Sequence, residues 1–394
     1  MNQQCPVAYP FNRFTTLDLA GPYKAALAQP GLLRIQMPFG TPAWLATRNE
    51  EVRLVLAERR FSRAEAFRHE DSPRAFSRIA GGIVTMDPPH LNRLRSVAAQ
   101  AFTRRRVEAL RPAVRAHALR LIEAMQQAGR SADLVEAFAL PLPIALICEL
   151  LGVPEQDHNL FKAWSDLLLS TENLEPHVLQ GAQRDMASYI MGLISARRET
   201  PRDDFMTALV QAHEQGERLS EQELILLCMA ILIAGYEGSA SQIPNFVMVL
   251  QQHRDQWLQL TEQPELIPGA VEELLRFIPL ASAAMFVHYA QEDIQVGQTL
   301  VRKGEPVFAS IGAANHDPSA FNEPQRLDLK RDAQGHVAFG HGLHHCIGAA
   351  LARVELQEAL TALTRYLPDL RLGSRLEWKQ STFFRGATYM EVTW

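Results

Sequence analysis

The residues best suited to chemistry lie in one ten-residue segment, 339–348, which reads Phe-Gly-His-Gly-Leu-His-His-Cys-Ile-Gly. Apolar residues recur with helical spacing after Cys346, so this cysteine stands just before a predicted helix. A helix N-terminus stabilises a thiolate through its dipole and its free N–H groups. Cys346 could therefore be an electron-rich metal ligand, a nucleophile or a redox thiol.

Two further interpretations of this segment depend on its three histidines. They suggest zinc, but a structural zinc site takes its ligands as two separated pairs and not from a single short turn. A protease-like nucleophile would need an Asp or Asn to orient a histidine, and neither residue occurs in this segment. From these residues alone, several roles for the thiol stay open.

A second unusual segment is an apolar run that ends in glycines and an acid. Ser220 and Glu223 form a capping-box pattern, and residues 224–236 then carry almost no polar side chain. A helix with apolar residues on every face is buried in the protein. Each glycine within it lowers the stability of the helix by about 1 kcal/mol relative to alanine. Gly235, Glu237 and Gly238 therefore indicate either a functional site or a local bend in which Glu237 pairs with an arginine.

The elements that must position these segments are mainly helical. Periodic apolar spacing predicts helices over 107–125, 140–151, 185–194 and 347–367. Alternating patterns predict short strands over 32–36, 44–47, 293–296 and 389–392. We expect a mainly α protein with small β-sheets, organised as a single domain over residues 1–394.

Composition excludes several classes of protein. The 394 residues include 39 Lys and Arg against 44 Asp and Glu, a net charge of −5, which does not suit a nucleic-acid-binding protein. The longest apolar run has 13 residues, whereas a membrane span needs about 20. Four widely spaced cysteines without a C-x-x-C motif indicate a reducing compartment. With a polar N-terminus, these features predict a soluble, cytoplasmic protein without a membrane partner.

The 339–348 segment completes the pattern F-G-x-G-x-H-x-C-x-G and resembles the haem-thiolate loop of cytochrome P-450 enzymes. Other family landmarks follow in the expected order. They are the Glu273–Arg276 E-x-x-R pair, Ala314–Pro318 of the meander, Met86–Pro89 before a helix, and Pro42–Leu45 of the N-terminal sheet. The resemblance covers nearly the whole chain and implies the single-domain cytochrome P-450 fold, with a long central helix over the haem.

The resemblance assigns the cofactor, haem b, to particular residues. Cys346 would be the axial ligand of the iron, with Phe339 packed beside the thiolate. The residues implied around the haem, besides these two, are Gly340, Gly348, Ala234, His344, Arg95 and His288. The last three would bind the propionates.

The propionate set departs from the family at two positions. His288 stands where the family usually carries Arg. Leu91, with His90 before it, stands where the family usually carries His. The resemblance also implies that Arg326 completes the Glu273–Arg276 pair.

Residues 234–239, Ala-Gly-Tyr-Glu-Gly-Ser, resemble the family's oxygen-binding segment A-G-x-(E/D)-T-T. Small Ala234 would leave room for dioxygen, and Glu237 matches the acid of the family's acid–alcohol pair. Gly238 stands where Thr is usual, and Ser239 follows it. Three alternatives stay open: Ser239 with water relays protons, a substrate hydroxyl does so, or the reaction is an oxidative coupling or ring formation.

The implied activity is mono-oxygenation of a bulky hydrophobic molecule, with electrons from a ferredoxin-type donor and its reductase. Arg104–Arg106 could belong to the donor's docking face or simply be solvated. Five segments would form the pocket, and its predicted lining residues are Ile83, Leu167, Met229, Ile233, Leu280, Met285 and Phe383, with Phe76 and Ile79. A non-catalytic haem protein is a further alternative.

Overall fold

The structure is a computed structural model that describes residues 5–74, 82–170, 174–202, 204–214, 219–380 and 382–394. The chain forms two compact units. The first unit comprises Met1–Pro88, Pro268–Cys346 and Phe383–Arg385. The second comprises Pro89–Ile267, Ile347–Thr382 and Gly386–Trp394. The single-domain organisation of the chain stays a prediction.

The strands are short. They are β1 (Val7–Ala8), β2 (Leu33–Gln36), β3 (Ala43–Ala46), β4 (Phe61–Ser62), β5 (Ser131–Asp133), β6 (Val287–Ala290), β7 (Ile294–Val296), β8 (Thr299–Val301), β9 (Pro306–Ala309), β10 (Arg371–Trp378) and β11 (Ala387–Thr393). The four strands predicted from alternation correspond to β2, β3, β7 and β11, and all four are confirmed.

Helices make up most of the described chain. They are α1 (Gly21–Leu27), α2 (Asn49–Ala57), α3 (His90–Ala101), α4 (Arg104–Ala128), α5 (Pro141–Leu151), α6 (His158–Leu169), α7 (Pro176–Glu199), α8 (Phe205–Glu214), α9 (Glu221–Gln252), α10 (Arg254–Glu262), α11 (Ile267–Phe277), α12 (Ile311–Ala314) and α13 (Ala349–Tyr366). The four predicted helices lie within or around α4, α5, α7 and α13 and are confirmed.

The first unit is built on a mixed sheet with the strand order β1-β2-β3-β9-β6-β4. The β1/β2 and β3/β9 pairs are parallel and the other three are antiparallel. Apolar side chains from both faces of this sheet form two clusters, one of which includes Val52 and Val55 of α2. Because α2 is fixed by this burial, it offers a rigid surface to the 342–344 turn that packs on it.

The second unit is a helical assembly around α9. Helix α5 packs along α9, and α4 packs along α13. A three-stranded sheet with the order β10-β11-β5 completes the unit. Strand β5 lies in the helical middle of the chain, where alternation predicted no strand, because its three residues are too few to show a period.

Helix α9 confirms the predicted capping box: the Ser220 side chain accepts from the Glu223 N–H, and the Glu223 carboxylate accepts from the Ser220 N–H. The helix continues unbroken to Gln252 through Gly235 and Gly238. By length and composition it could cross a membrane, with a mean hydropathy of 1.7 over its most apolar window. However, 61% of that window is buried, which is typical of a core helix in a soluble protein.

Candidate active site

The cysteine segment is closed into a loop by its own backbone. The Cys346 N–H donates to the Phe339 carbonyl at 2.8 Å. Gly340 and Gly342 have φ angles of +73° and +64°, a region that favours glycine. A Cβ at Gly342 would also lie 2.5 Å from the Ala57 Cα of α2. Glycine is therefore required here, because any larger residue would push the loop off the helix.

Exposure distinguishes Cys346 from two of the other three thiols. None of the four cysteines is in a disulfide, and Cys346 is exposed whereas Cys148 and Cys228 are buried. Burial raises the pKa of each buried thiol to about 12, so both stay protonated and inert. Among the described residues, no three His, Cys, Asp or Glu side chains gather into a metal-binding group, so the zinc alternative has no ligand set there.

The predicted propionate residues have different environments. His344, in the 342–344 turn of the first unit, is half-buried, as is Arg95 on α3 of the second unit. His288 on β6 is buried, and its Nε2 accepts from the Nε–H of Arg63 at 3.0 Å. Burial, followed by the nearby Arg63 charge, holds the pKa of His288 well below its ordinary value, so the imidazole is neutral.

The arginine expected to complete the Glu273–Arg276 pair was wrongly identified. Arg276 donates to both carboxylate oxygens of Glu273, at 2.7 and 2.8 Å, and both residues are fully buried. Arg331, not Arg326, adds the third partner, with its Nε 3.1 Å from the Glu273 Oε1. Arg326 is instead exposed and pairs with Asp328, because its place in the meander turns it outward to solvent.

Helix α9 is buried on most sides but uncovered along one line. Ala230, Ala234 and Gly238, four residues apart and on one face, are half-buried or exposed. A Cβ added at Gly238 would meet no described side chain or neighbouring backbone within 4 Å. A Cβ at Gly235 would lie 2.6 Å from the Ile147 Cδ1, so that glycine permits α5 to pack closely. The face around Ala234 and Gly238 thus has free space.

Glu237 is held by a lysine. Its Oε1 accepts from the Lys379 Nζ at 2.5 Å, and the same Nζ donates to the Ser241 hydroxyl at 3.0 Å. Both charged side chains are largely buried. The expected arginine partner is wrong, since the partner is a lysine, and the helix continues through this segment without a break.

Ser239 contacts a second buried acid that sequence reasoning missed. The Ser239 Oγ lies 2.5 Å from the Glu355 Oε2 of α13. Glu355 is 1% exposed, and its other oxygen has no hydrogen-bond partner. Burial raises the pKa of this carboxyl to about 8, so it keeps its proton at neutral pH. The one sequence signal was an acid on the apolar side of a predicted helix.

The predicted lining residues are divided between the units. Ile83, Leu280 and Met285 of the first unit are half-buried, and Phe383 is buried. Main-chain bonds join two of their segments, since the Ser282 N–H donates to the Phe383 carbonyl at 3.0 Å.

In the second unit, Leu167 on α6 and Ile233 on α9 are half-buried, and Met229 is buried. The two helices pack together. Phe76 and Ile79 lie outside the described residues. The lining role of all these residues stays a prediction.

Three features fit the residues to an iron porphyrin. Cys346 offers an exposed thiol on a glycine-shaped loop. The buried Nδ1 of His288 forms no hydrogen bond with any residue that the structure describes, which suits an acceptor from a bound group. The uncovered face of α9 around Ala234 leaves room beside a buried helix.

Comparisons with known proteins agree with this geometry. Residues 144–367 match the family model described as Cytochrome P450. The chain is 44% identical to the mycinamicin IV hydroxylase/epoxidase of Micromonospora griseorubida, covering 99% of each chain. It is 43% identical to the nocardicin C N-oxygenase of Nocardia uniformis subsp. tsuyamanensis, covering 98% of each.

A solved structure shares the fold. The structure of the mixed-function P450 MycG has a TM-score of 0.93 and 45% identity, covering 99% of this chain and 100% of that one. The expected mainly α fold with small sheets is thereby confirmed. The family model and the relatives named as oxygenases, which match over nearly the whole chain, show that the chain belongs to the cytochrome P450 family and is a haem-thiolate mono-oxygenase.

Proposed function

We propose that this enzyme hydroxylates or epoxidises a bulky hydrophobic natural product, with haem b as its cofactor. Two relatives of nearly equal length are named for oxygen insertion into mycinamicin IV and nocardicin C, and the candidate lining side chains are apolar. When bound, the haem supplies dioxygen activation. Cys346 would supply the thiolate ligand, and Arg95, His344 and His288 would contact the propionates.

Electrons would come from a ferredoxin-type protein and its reductase in the cytoplasm. Arg104, Arg105 and Arg106 are all exposed at the start of α4. A compact cationic group of this kind suits an acidic docking partner, because complementary charge accelerates encounter. The absence of a disulfide among the four cysteines agrees with a reducing compartment.

The contact between Ser239 and Glu355 is the observation that carries the mechanism. Oxygen activation consumes protons, and the usual Thr is replaced by Gly238. A carboxyl that is protonated at neutral pH can donate to the Ser239 hydroxyl, which can pass its own proton towards the space beside Gly238. The Ser239–Glu355 pair would thus replace the missing alcohol, with water or a substrate hydroxyl beside Gly238.

Glu237 would have another role in this proposal. Its carboxylate is already bonded to Lys379, which keeps the charge in place and anchors the middle of α9. Moving a proton through Glu237 would require that ion pair to open, whereas Glu355 needs no such step. We therefore assign the proton donor to Glu355 and a positioning role to Glu237.

The test uses the purified enzyme with a ferredoxin, its reductase and a library of macrolides and modified peptides under ¹⁸O₂. The dithionite-reduced CO complex is recorded first, and a long-wavelength Soret band establishes thiolate ligation. We expect a product that carries one ¹⁸O atom. An oxidised product without label would favour the alternative, oxidative coupling or ring formation. Failure of the electron donor to reduce the haem in the presence of any substrate tested would favour a non-catalytic haem protein.

A further inference from the structure

Arg63 is a buried cation whose side chain forms no salt bridge with a carboxylate in the described parts of the chain. Arg63 is 8% exposed and directly follows β4 in the chain. Its Nε donates to the His288 Nε2 at 3.0 Å, and its Nη1 donates to the Val84 carbonyl at 3.0 Å. Among the described residues, no carboxylate forms a salt bridge with it. Asp87 accepts from the Arg63 backbone N–H instead, at 3.0 Å.

The other buried arginines show what Arg63 lacks. Arg276 binds Glu273 through two bonds, and Arg197 binds Asp204. Arg385 donates five hydrogen bonds to backbone carbonyls, which occupy its Nε and both Nη groups. The Arg63 side chain donates only two hydrogen bonds to described residues. Other N–H donors of this buried guanidinium therefore remain available to a bound group.

The surroundings of Arg63 fix its orientation. The guanidinium carbon lies 4.6 Å from the centre of the Phe286 ring, so the ring covers one face of the fork. Because arginine has only donors, its bond to the His288 Nε2 places the imidazole proton on Nδ1. The ring of His288 therefore holds the guanidinium of Arg63 in place, and the remaining N–H groups of the Arg63 fork are the donors that a carboxylate can meet.

We propose that Arg63, oriented by His288 and Phe286, binds a propionate carboxylate of the haem and supplies the positive charge that His288 itself lacks. This inference rests on the proposed cofactor, haem b, because it requires free propionates. The neutral His288 then acts as a support that orients the arginine. Burial lowers the pKa of Arg63 to about 9, so the guanidinium still carries its charge at neutral pH.

The experiment compares Arg63→Met with wild type and with Arg68→Met. Arg68 is a matched control, since it lies five residues away with a side chain that is 77% exposed. Each protein is reconstituted with native haem and with haem dimethyl ester, whose propionates carry no charge. The readout is the rate of haem transfer to excess apomyoglobin, after the reduced CO spectrum has been recorded.

We expect Arg63→Met to lose native haem roughly 10- to 100-fold faster than wild type, the size of a charge-assisted hydrogen bond. With the dimethyl ester the two proteins should differ little, and Arg68→Met should match wild type with both haems. Equal loss of native haem by Arg63→Met and wild type would overturn the proposal. So would an equal acceleration with both haems, because the arginine would then support the fold and not the propionate.

A conservative variant keeps the proposal testable if Arg63→Met does not fold. Arg63→Lys retains the positive charge but replaces the planar guanidinium with a compact ammonium group. We therefore expect native haem to dissociate faster from this variant than from wild type. Haem dimethyl ester should dissociate from both proteins at the same rate. Failure of the cofactor assignment would give a different result from failure of the Arg63 proposal. Wild-type protein without a long-wavelength CO band would contradict the proposed function, whereas a normal band with unaltered haem loss would contradict Arg63 alone.

Discussion

Glu237 and Glu355 are two buried acids of the same unit, and each lies against a serine of α9. Glu237 has a cationic partner, Lys379, and shares it with Ser241. Among the described residues, Glu355 has only Ser239 as a hydrogen-bond partner, and its other carboxyl oxygen has none. The first acid is therefore held in an ion pair, and the second is a protonated carboxyl, for which we propose the role of proton donor. This difference shows that the hydrogen-bond and ionic partners of a buried carboxyl, more than its degree of burial, determine its chemical role.

The largest expected effect comes from removing the thiol proposed to ligate the haem iron. Cys346→Ala should abolish the long-wavelength Soret band of the reduced CO complex and all product formation. Cys5→Ala, which removes the other exposed cysteine, should leave both unchanged. A Soret band that persists at long wavelength in Cys346→Ala would show that another residue ligates the iron. The roles proposed for the two acids would then be placed at the wrong site.

Removing the cation of the first acid should cost stability. Lys379→Met leaves Glu237 buried without a partner, and we expect urea unfolding to show a loss of about 3–5 kcal/mol. Lys162→Met, which breaks an exposed pair with Asp166, should cost no more than about 1 kcal/mol.

The double variant Lys379→Met/Glu237→Gln should recover much of the loss, because no charge is then stranded. A loss in Lys379→Met no greater than in the Lys162→Met control would mean that Glu237 is not the fixed charge that its contacts indicate.

The second acid should give the protein a pH-dependent stability. In the folded protein Glu355 keeps its proton to about pH 8, whereas in the unfolded chain it ionises near the ordinary value of 4.5. Between these values the unfolded chain binds fewer protons, so the free energy of unfolding falls as pH rises. Glu355→Gln should become more stable relative to wild type by about 2–3 kcal/mol between pH 6 and pH 8.

The stability difference is measured by urea unfolding at both pH values, with Glu237→Gln as the comparison. A difference between wild type and Glu355→Gln that stays constant from pH 6 to pH 8 would mean that Glu355 is already ionised in the folded protein.

The smallest expected effect is that of restoring the family's alcohol. Gly238→Thr should fold normally and gain roughly 0.5 kcal/mol, because the added atoms meet open space and threonine is the better helix former. In this background, Glu355→Gln should reduce the yield of product per electron less than it does in wild type. Gly235→Ala is the contrasting variant and should lose about 1–3 kcal/mol, since its Cβ would overlap Ile147.

An unchanged yield per electron in Gly238→Thr, with the Glu355→Gln defect undiminished, would count against a relay through the space beside Gly238.

The sequence predicted the cysteine loop well because its signals are local. Ten contiguous residues contain the ligand, the glycines with positive φ and the start of the helix. The capping box and apolar run of α9 were predictable for the same reason. Partners that come from distant parts of the chain could not be predicted. Ser239 and Glu355 are 116 residues apart, and Glu237 and Lys379 are 142 residues apart.

The errors have the same origin. Arg326 and Arg331 are both arginines of one polar loop, and only the folded loop shows which of them reaches Glu273. Arg63 carried no motif, since its importance depends on His288, a residue on a strand 225 positions later. Residue type and spacing can identify a reactive group, but the group's charge state depends on tertiary contacts.

The central claim is that Glu355, acting through Ser239, supplies protons where the family uses threonine. The most direct measurement is product formed per electron consumed, from pH 6 to pH 9, for wild type, Glu355→Gln and Ser239→Ala, with Ser241→Ala as control. We expect the wild-type yield to fall as pH rises through about 8, where Glu355 ionises. Glu355→Gln and Ser239→Ala should be low and independent of pH, and Ser241→Ala should follow wild type. A Glu355→Gln enzyme as efficient as wild type at every pH would contradict the account.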